Sequence, residues 1–128
     1  MTSYIFSQIK PNDKRSQKQL NKLLNKTGIS QDLSSDFTLG IFDEDYNLIA
    51  TGSTFQDHLH SLAVDISHRG KGLLCQIITH LYEMQFNKGI YDLYLKSSKD
   101  LVPVFNSLGF YELSDLEEDL VYMSNKRN

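Results

Sequence analysis

The sequence has 128 residues, the usual size of one compact domain, and 40% hydrophobic with 23% charged residues excludes a wholly disordered chain. A net charge of −3 leaves no general basic surface of the kind that displaces counterions from nucleic acid. No apolar run approaches the ~18–20 residues needed to span a bilayer, and residues 1–6 lack the basic and apolar regions of a signal peptide. The lone Cys75 rules out an internal disulfide and a multi-thiolate metal site, so the cytoplasm is the expected location and no metal is expected.

Residues 4–9 read as a first strand. A helix is predicted over 13–27, with Asn12 or Asp13 as its cap, Leu20, Leu23 and Leu24 at helical spacing and Gly28 as its stop. Its other face carries Lys14, Arg15, Lys18, Lys22 and Lys26, which reads as solvated surface or as help toward an anionic ligand. Two strands over 37–42 and 48–54 flank the turn chemistry of 43–47 and form a hairpin. A further strand covers 58–64. The longest helix is predicted over 72–87, where Leu74, Ile77, Ile78 and Leu81 make one apolar stripe and Lys88-Gly89 ends it. Alternation from Tyr91 to Lys96 predicts another strand. A short helix over 99–108 follows, capped by Ser97 or Ser98 and ended by Gly109, and the runs 110–113 and 120–123 are the last strands. The order β-α-β-β-β-α-β-α-β-β implies an α/β (α+β) fold: a mixed, mostly antiparallel sheet with helices on both faces, in one domain over 1–128.

The chemistry concentrates in Leu62-Ala63-Val64-Asp65-Ile66-Ser67-His68-Arg69-Gly70-Lys71-Gly72-Leu73. An apolar strand runs into a turn with two glycines, and that turn opens the long helix. Glycine lets backbone amides turn inward and a ligand approach the main chain, while the helix dipole adds about half a positive charge there. Such a turn suits phosphate or pyrophosphate, with Arg69 and Lys71 beside it. It also occurs as a plain glycine turn with no ligand. It is neither a Walker loop nor a dinucleotide fingerprint, because the lysine–hydroxyl pair of the one and the third glycine and ribose-binding acid of the other are missing.

The strand Leu62-Ala63-Val64 followed by Arg69-Gly70-Lys71-Gly72-Leu73 resembles the acyl-CoA signature of the GNAT superfamily of N-acyltransferases, R/Q-x-x-G-x-G/A after an L-x-V strand. Further on, Phe105-Asn106-Ser107-Leu108-Gly109-Phe110 resembles the late helix of that superfamily with its L-G-F turn. A narrower resemblance joins Ile49-Ala50-Thr51-Gly52-Ser53, both motifs and Val121-Tyr122-Met123-Ser124-Asn125 to the N-terminal domain of the citrate lyase ligase family. In that family a GNAT-like domain precedes a nucleotidyltransferase domain bearing H-x-G-H. The sequence ends at Asn128, where that second domain would begin, so an excised domain and a stand-alone relative are both open.

The resemblance implies acetyl-CoA, CoA or a dephospho-CoA-type prosthetic group as ligand, and transfer of an acetyl or other acyl group to an amine or thiol. In the ligase case it implies an acyl-carrier protein as partner. It further implies that the strand before the loop splays from its neighbour. Leu62, Ala63 and Val64 would then face the pantetheine arm, the amides of Arg69, Gly70, Lys71, Gly72, Leu73 and Leu74 would hold the pyrophosphate, and Phe105 would lie beside the thiol. Preorganised donors of this kind are worth ~2.7–4 kcal/mol each. Two departures stand out. Leu74 occupies the last G/A of the signature, and Phe105, four positions before Gly109, replaces the tyrosine that often protonates the leaving thiolate. Losing a general acid typically costs about 10²–10⁴-fold. For a general base, His60 is the better of His58 and His60, which share a strand face. Its alternative is an ordinary strand histidine, and a His58/His60 metal pair has no evident third ligand. Cys75 reads as a small buried hydrophobe, and Tyr91, Tyr94, Tyr111 and Tyr122 as core residues or an aromatic acceptor wall.

Overall fold

A computed structural model describes residues 3–29, 34–117 and 119–126; residues 1 and 2 and Asn128, which the sequence reading used, lie outside them. The described chain runs β1 (Ile5–Gln8), α1 (Lys14–Lys26), β2 (Phe37–Phe42), β3 (Leu48–Phe55), β4 (His58–Val64), α2 (Leu73–Asn87), β5 (Tyr94–Ser98), α3 (Val102–Ser107), β6 (Tyr111–Asp115) and β7 (Leu120–Ser124), with 3₁₀ turns at Ile66–His68 and Lys99–Leu101. This is the element order expected from the sequence.

Local chemistry sets the boundaries. Asp13 caps α1 by accepting the Ser16 amide at 3.1 Å and the Ser16 hydroxyl at 2.8 Å, and these bonds lower its pKa. The β2–β3 turn is closed by Asp43, whose carboxylate accepts the amides of Asp45 and Asn47 at 2.9 Å each. All neighbours in the seven-stranded sheet, ordered β1-β2-β3-β4-β5-β7-β6, pair antiparallel except β4 with β5.

Three of the element starts that move have a traceable cause. β5 begins at Tyr94 rather than Tyr91, because side chains satisfy the preceding main chain: Asn125 accepts the Leu93 amide at 2.7 Å and donates to the Tyr91 carbonyl at 2.9 Å, and Ser124 donates to the Leu93 carbonyl at 2.8 Å. Before α3, residues 99–101 form a 3₁₀ turn. Neither serine caps it as expected: Ser98 makes no capping bond, and the Ser97 hydroxyl donates to the Ser98 carbonyl. The α-helix starts at Val102, where Pro103 suits a first turn that has no use for its missing amide. β6 begins at Tyr111 because Phe110 is a fully buried turn residue.

Helices cover both faces of the sheet. On one face α2 and α3 bury Ile77, Ile78, Leu81, Val102 and Phe105 against Leu39, Ile41, Leu59, Leu95 and Met123. On the other α1 buries Leu23 and Leu24 against Phe42, Leu48 and Ala63. At ~1.5–3 kcal/mol per large buried side chain, these two layers hold the sheet between the helices. Among the described residues no helix is long and apolar enough to cross a membrane.

Gly52 sets how closely α2 lies on the sheet. A Cβ there would stand 2.5 Å from Ile77 Cγ2 and 2.9 Å from Leu62 Cδ2. Neither the helix nor β4 can yield cheaply, so Gly52→Ala is expected to destabilise the fold by about 1–3 kcal/mol. A fall in the urea midpoint with an unchanged slope would register it.

Candidate functional site

The site begins where two strands part. β4 and β5 run parallel and share one register pair, His58 with Tyr94, where the Tyr94 amide also donates to the Asp57 carbonyl at 2.9 Å. On its other side β4 stays paired with β3 as far as Val64. A bulge between His60 and Ala63 sets two residues, Ser61 and Leu62, against Gly52, and Ser61 takes φ 52°. Beyond the bulge Asp65 donates its amide to the Ile49 carbonyl at 2.7 Å. By alternation, the main chain of Ala63 faces β3 while that of Leu62 and Val64 faces the side on which β5 has departed. The Val64 carbonyl on that side accepts Arg69 Nε at 3.3 Å.

The opening leads to the glycine loop. Gly70 and Gly72 have φ of 82° and 76°, a region costing other residues about 1–2 kcal/mol. A Cβ on either would meet nothing within 4 Å, so open space lies before both. Gly72 is the N-cap of α2 and offers no side chain to the first turn. The first helical acceptor bond is that of the Gln76 amide to the Gly72 carbonyl, which leaves the amides of Leu73, Leu74 and Cys75 as the orphan donors of a 15-residue helix. Arg69, Gly70, Lys71 and Gly72 are exposed, Leu73 is buried and Leu74 half-buried.

Asp65, which sequence reasoning passed over, fixes this loop. It accepts the Ser67 amide at 3.1 Å and the Ser67 hydroxyl at 3.0 Å, and Lys26 of α1 reaches it at 3.2 Å. The Ser67 amide is the main cause of its lowered pKa, with the Ser67 hydroxyl and Lys26 adding. The signal was present as Asp65-Ile66-Ser67, an Asx-type turn. One lysine of the basic α1 face is thereby tied to the loop.

At the other end of the opening, side chains collect on the sheet face opposite α2. Leu93, Leu95, Val121 and Met123 point into the core, so Tyr94, Lys96 and Tyr122 point the other way, the face shared by His58 and His60. His58 Nδ1 lies 2.8 Å from Asp57 Oδ1 and its Nε2 lies 3.0 Å from the Tyr122 hydroxyl. Tyr94 and Tyr122 stack at 5.8 Å with planes 10° apart. These two tyrosines thus form an aromatic wall rather than core, whereas Tyr91 is exposed against Phe86. His60 Nδ1 is 2.9 Å from Ser61 Oγ and its Nε2 3.4 Å from Ser35 Oγ. Burial chiefly lowers the His60 pKa below its ordinary 6.5. Nearby, a polar cleft of about 240 Å³ runs between α1 and the sheet, lined among others by Gln17, Asn21, Asp36, Thr38, Ser53 and Ser61.

Other sequence candidates fall elsewhere. Phe105 is 2% exposed and packs edge-on against Phe110 in the core beneath α3, while Asn106 is exposed. Cys75 is exposed on the first turn of α2 rather than buried. His80 is exposed and lies against the Phe6 ring, and His68 Nδ1 is 3.0 Å from Ser67 Oγ.

A family model described as an acetyltransferase (GNAT) domain matches residues 8–119. The chain is 25% identical over 124 residues to the citrate (pro-3S)-lyase ligase of Escherichia coli (strain K12), which takes in 94% of this chain and 34% of that protein. It therefore spans about a third of the length of that relative. An acyl-CoA N-acyltransferase structure from Pseudomonas aeruginosa superposes with a TM-score of 0.79 at 14% identity, over 97% of this chain and 99% of that one. The N-acetylglutamate synthase of Neisseria gonorrhoeae, solved with coenzyme A and N-acetyl-glutamate, superposes with a TM-score of 0.70 at 19% identity, over 97% of this chain and 35% of that one. These structures share the fold, and with the family model covering most of its length, the chain belongs to the GNAT acetyltransferase domain family.

Proposed function

We propose that this domain binds an acyl-CoA-type ligand, with its pyrophosphate at the start of α2 and its pantetheine arm along β4, and moves the acyl group to an amine or thiol. The observation that carries the reading is the continuous main-chain track from the uncapped first turn of α2 to the freed edge of β4. Uncapped amides at a helix start suit a dianion. The cradle fits the group: space stands open before Gly70 and Gly72, and Arg69 and Lys71 add charge. A thioester supplies an electrophilic carbonyl and a good leaving thiolate. The freed amides of Leu62 and Val64 are donors for that carbonyl, while Ala63 faces β3 and supports the strand.

An acceptor entering from the α1 face meets the polar cleft and His60. With its pKa depressed, His60 is neutral at pH 7 and can take a proton from an amine. Phe105, buried in the core beneath α3 and without a proton to give, supplies no acid catalysis.

A second reading has its own support, in the identity to citrate lyase ligase along most of this chain and in Phe105. Here the same track grips the CoA-derived prosthetic arm of an acyl-carrier protein, and transfer by the isolated domain is weak.

Calorimetric titration with CoA and with dephospho-CoA tests the track. The native chain is expected to bind at least one of them, and Gly72→Glu, which places a carboxylate and a strained φ at the helix start, to weaken binding more than ~10-fold, about 1.4 kcal/mol. Absence of binding to both ligands would sink both readings. Thiol release from acetyl-CoA with glutamate, an amino sugar and an alanine-initiated peptide separates them, since only a transferase speeds release.

His60 also predicts a pH dependence of stability. The unfolded chain takes up the His60 proton near 6.5, and the folded chain only at lower pH, so the unfolded state holds more protons in that window. The His60 contribution is full above 6.5 and is lost as pH falls from there through the folded value. Thermal unfolding of the native chain and His60→Gln, compared between about pH 5 and 8, should show the native melting temperature falling faster on acidification.

A further inference from the structure

Phe105, buried in the core, has no proton to give to a departing thiolate. We infer that the donor is Tyr122 on β7, held over the point where β4 and β5 part by His58 and Asp57, which refill its proton; the inference rests on the acyl-transfer reading above. Three observations place it there.

The first is position. Tyr122 is the register partner of Lys96 on β5, one dipeptide past the Tyr94 that closes the β4–β5 pairing. Its ring runs nearly parallel to that of Tyr94 with the centroids 5.8 Å apart, and its hydroxyl reaches across β5 to His58 on β4. The phenol therefore stands over the end of the opening. An arm that starts at α2 and runs back along β4 from Val64 presents its sulfur at that same end.

The second is connection. Asp57 Oδ1, His58 Nδ1, His58 Nε2 and Tyr122 Oη form an unbroken chain at 2.8 and 3.0 Å. Carboxylate, imidazole and hydroxyl stand in the order that lets an imidazole pass a proton while its far nitrogen is held. The turn carrying Asp57 is pinned: Gln56 takes φ 55°, and the buried Gln85 of α2 donates its side-chain amide to the Gln56 carbonyl. The distal part of the chain is half-exposed, with 45% of the His58 side chain reaching solvent, so a spent proton can be replaced from water.

The third is the state of the phenol. Burial, with Asp57 and Tyr94 adding, raises the Tyr122 pKa above its ordinary 10.0, which keeps it a proton donor rather than a phenolate. Besides these groups the same face holds His60 on β4 and Lys96 on β5, with Asp36 beside His60.

The step balances. As the acceptor nitrogen bonds to the acyl carbon and the C–S bond breaks, the sulfur takes the proton of Tyr122 Oη. Tyr122 takes the Nε2 proton of His58, which keeps its Nδ1–H hydrogen-bonded to Asp57 Oδ1. His58 then recovers a proton from water, and the amine proton leaves through His60 or solvent. Tyr122 is the catalytic residue here, and His58 and Asp57 are positioning residues.

Steady-state thiol release from acetyl-CoA with the three amines above, followed against pH, tests this in the native chain, Tyr122→Phe, His58→Gln and Asp57→Asn. Tyr122→Phe is expected to lower kcat about 10²-fold with KM for acetyl-CoA and calorimetric CoA binding unchanged. It should also change the pH–rate profile. His58→Gln and Asp57→Asn should lower kcat less and change the same profile. In the ligand-free protein, Tyr122→Phe should displace the His58 ring-nitrogen NMR signals and leave those of His80 in place. An active native chain alongside a folded Tyr122→Phe with native kcat and pH profile overturns this inference and leaves the acyl-transfer reading standing. A native chain that binds CoA yet accelerates release with no amine overturns the acyl-transfer reading, and this inference with it.

Discussion

The arrangement depends on one strand being paired on both sides for only part of its length. β4 is held by β3 from His58 to Val64, but β5 meets it at His58 alone. A central strand ordinarily spends its amides and carbonyls on two neighbours. Here the far half has groups on one side that need another partner, and part of that need is met within the protein, where Arg69 Nε covers the Val64 carbonyl. The bulge at Ser61 and Leu62 adds twist where the strands separate, and Gly52 opposite lets α2 settle close enough to brace β4 from behind. The opening is thus supported by packed core on one face and left accessible in the plane of the sheet.

The loop that follows uses main chain rather than side-chain charge as its chief resource. The chain is acidic overall, and the orphan amides of α2 and its dipole supply positive potential that no net charge reports. Those amides have value only if the turn before them is fixed. Asp65, held by Ser67 and by Lys26 from α1, joins the loop to the helix on the far side of the sheet. A single surface ion pair is worth little by itself, of order 0–1 kcal/mol. Its service here is to orient a carboxylate that already caps the 3₁₀ turn.

Element order, the two helical faces and the glycine turn were legible because each rests on short-range chemistry: leucine spacing in α1, the Asp43 turn, paired glycines before α2. What the sequence hid depends on partners distant along the chain. The start of β5 is decided by Ser124 and Asn125, some thirty residues away, so alternation from Tyr91 misled. Cys75, expected inside, sits on the outer side of a helix whose buried stripe is carried by Ile77, Ile78 and Leu81. At the site, the glycines and the strand before them announced themselves. The Asp57, His58 and Tyr122 chain did not, because Tyr122 approaches His58 only after β7 has inserted beside β5.

Phe105 and Tyr122 illustrate how position decides which aromatic side chain a fold accepts. α3 is six residues long, too short to be stable without an anchor, and Val102 and Phe105 anchor it, Phe105 being 2% exposed against Phe110. A phenol at this depth would need a buried partner for its hydroxyl or would cost about 1–3 kcal/mol. Phenylalanine removes that demand and lets the helix seat fully on the sheet. Tyr122 lies under other conditions: its ring runs nearly parallel to that of Tyr94, and its hydroxyl is bonded to a histidine half open to water. An interior position favours burial and penalises a titrating group, whereas the strand face beside the opening tolerates both ring and proton. On this physical division the anchoring side chain falls to α3 and the hydrogen-bonded phenol to β7.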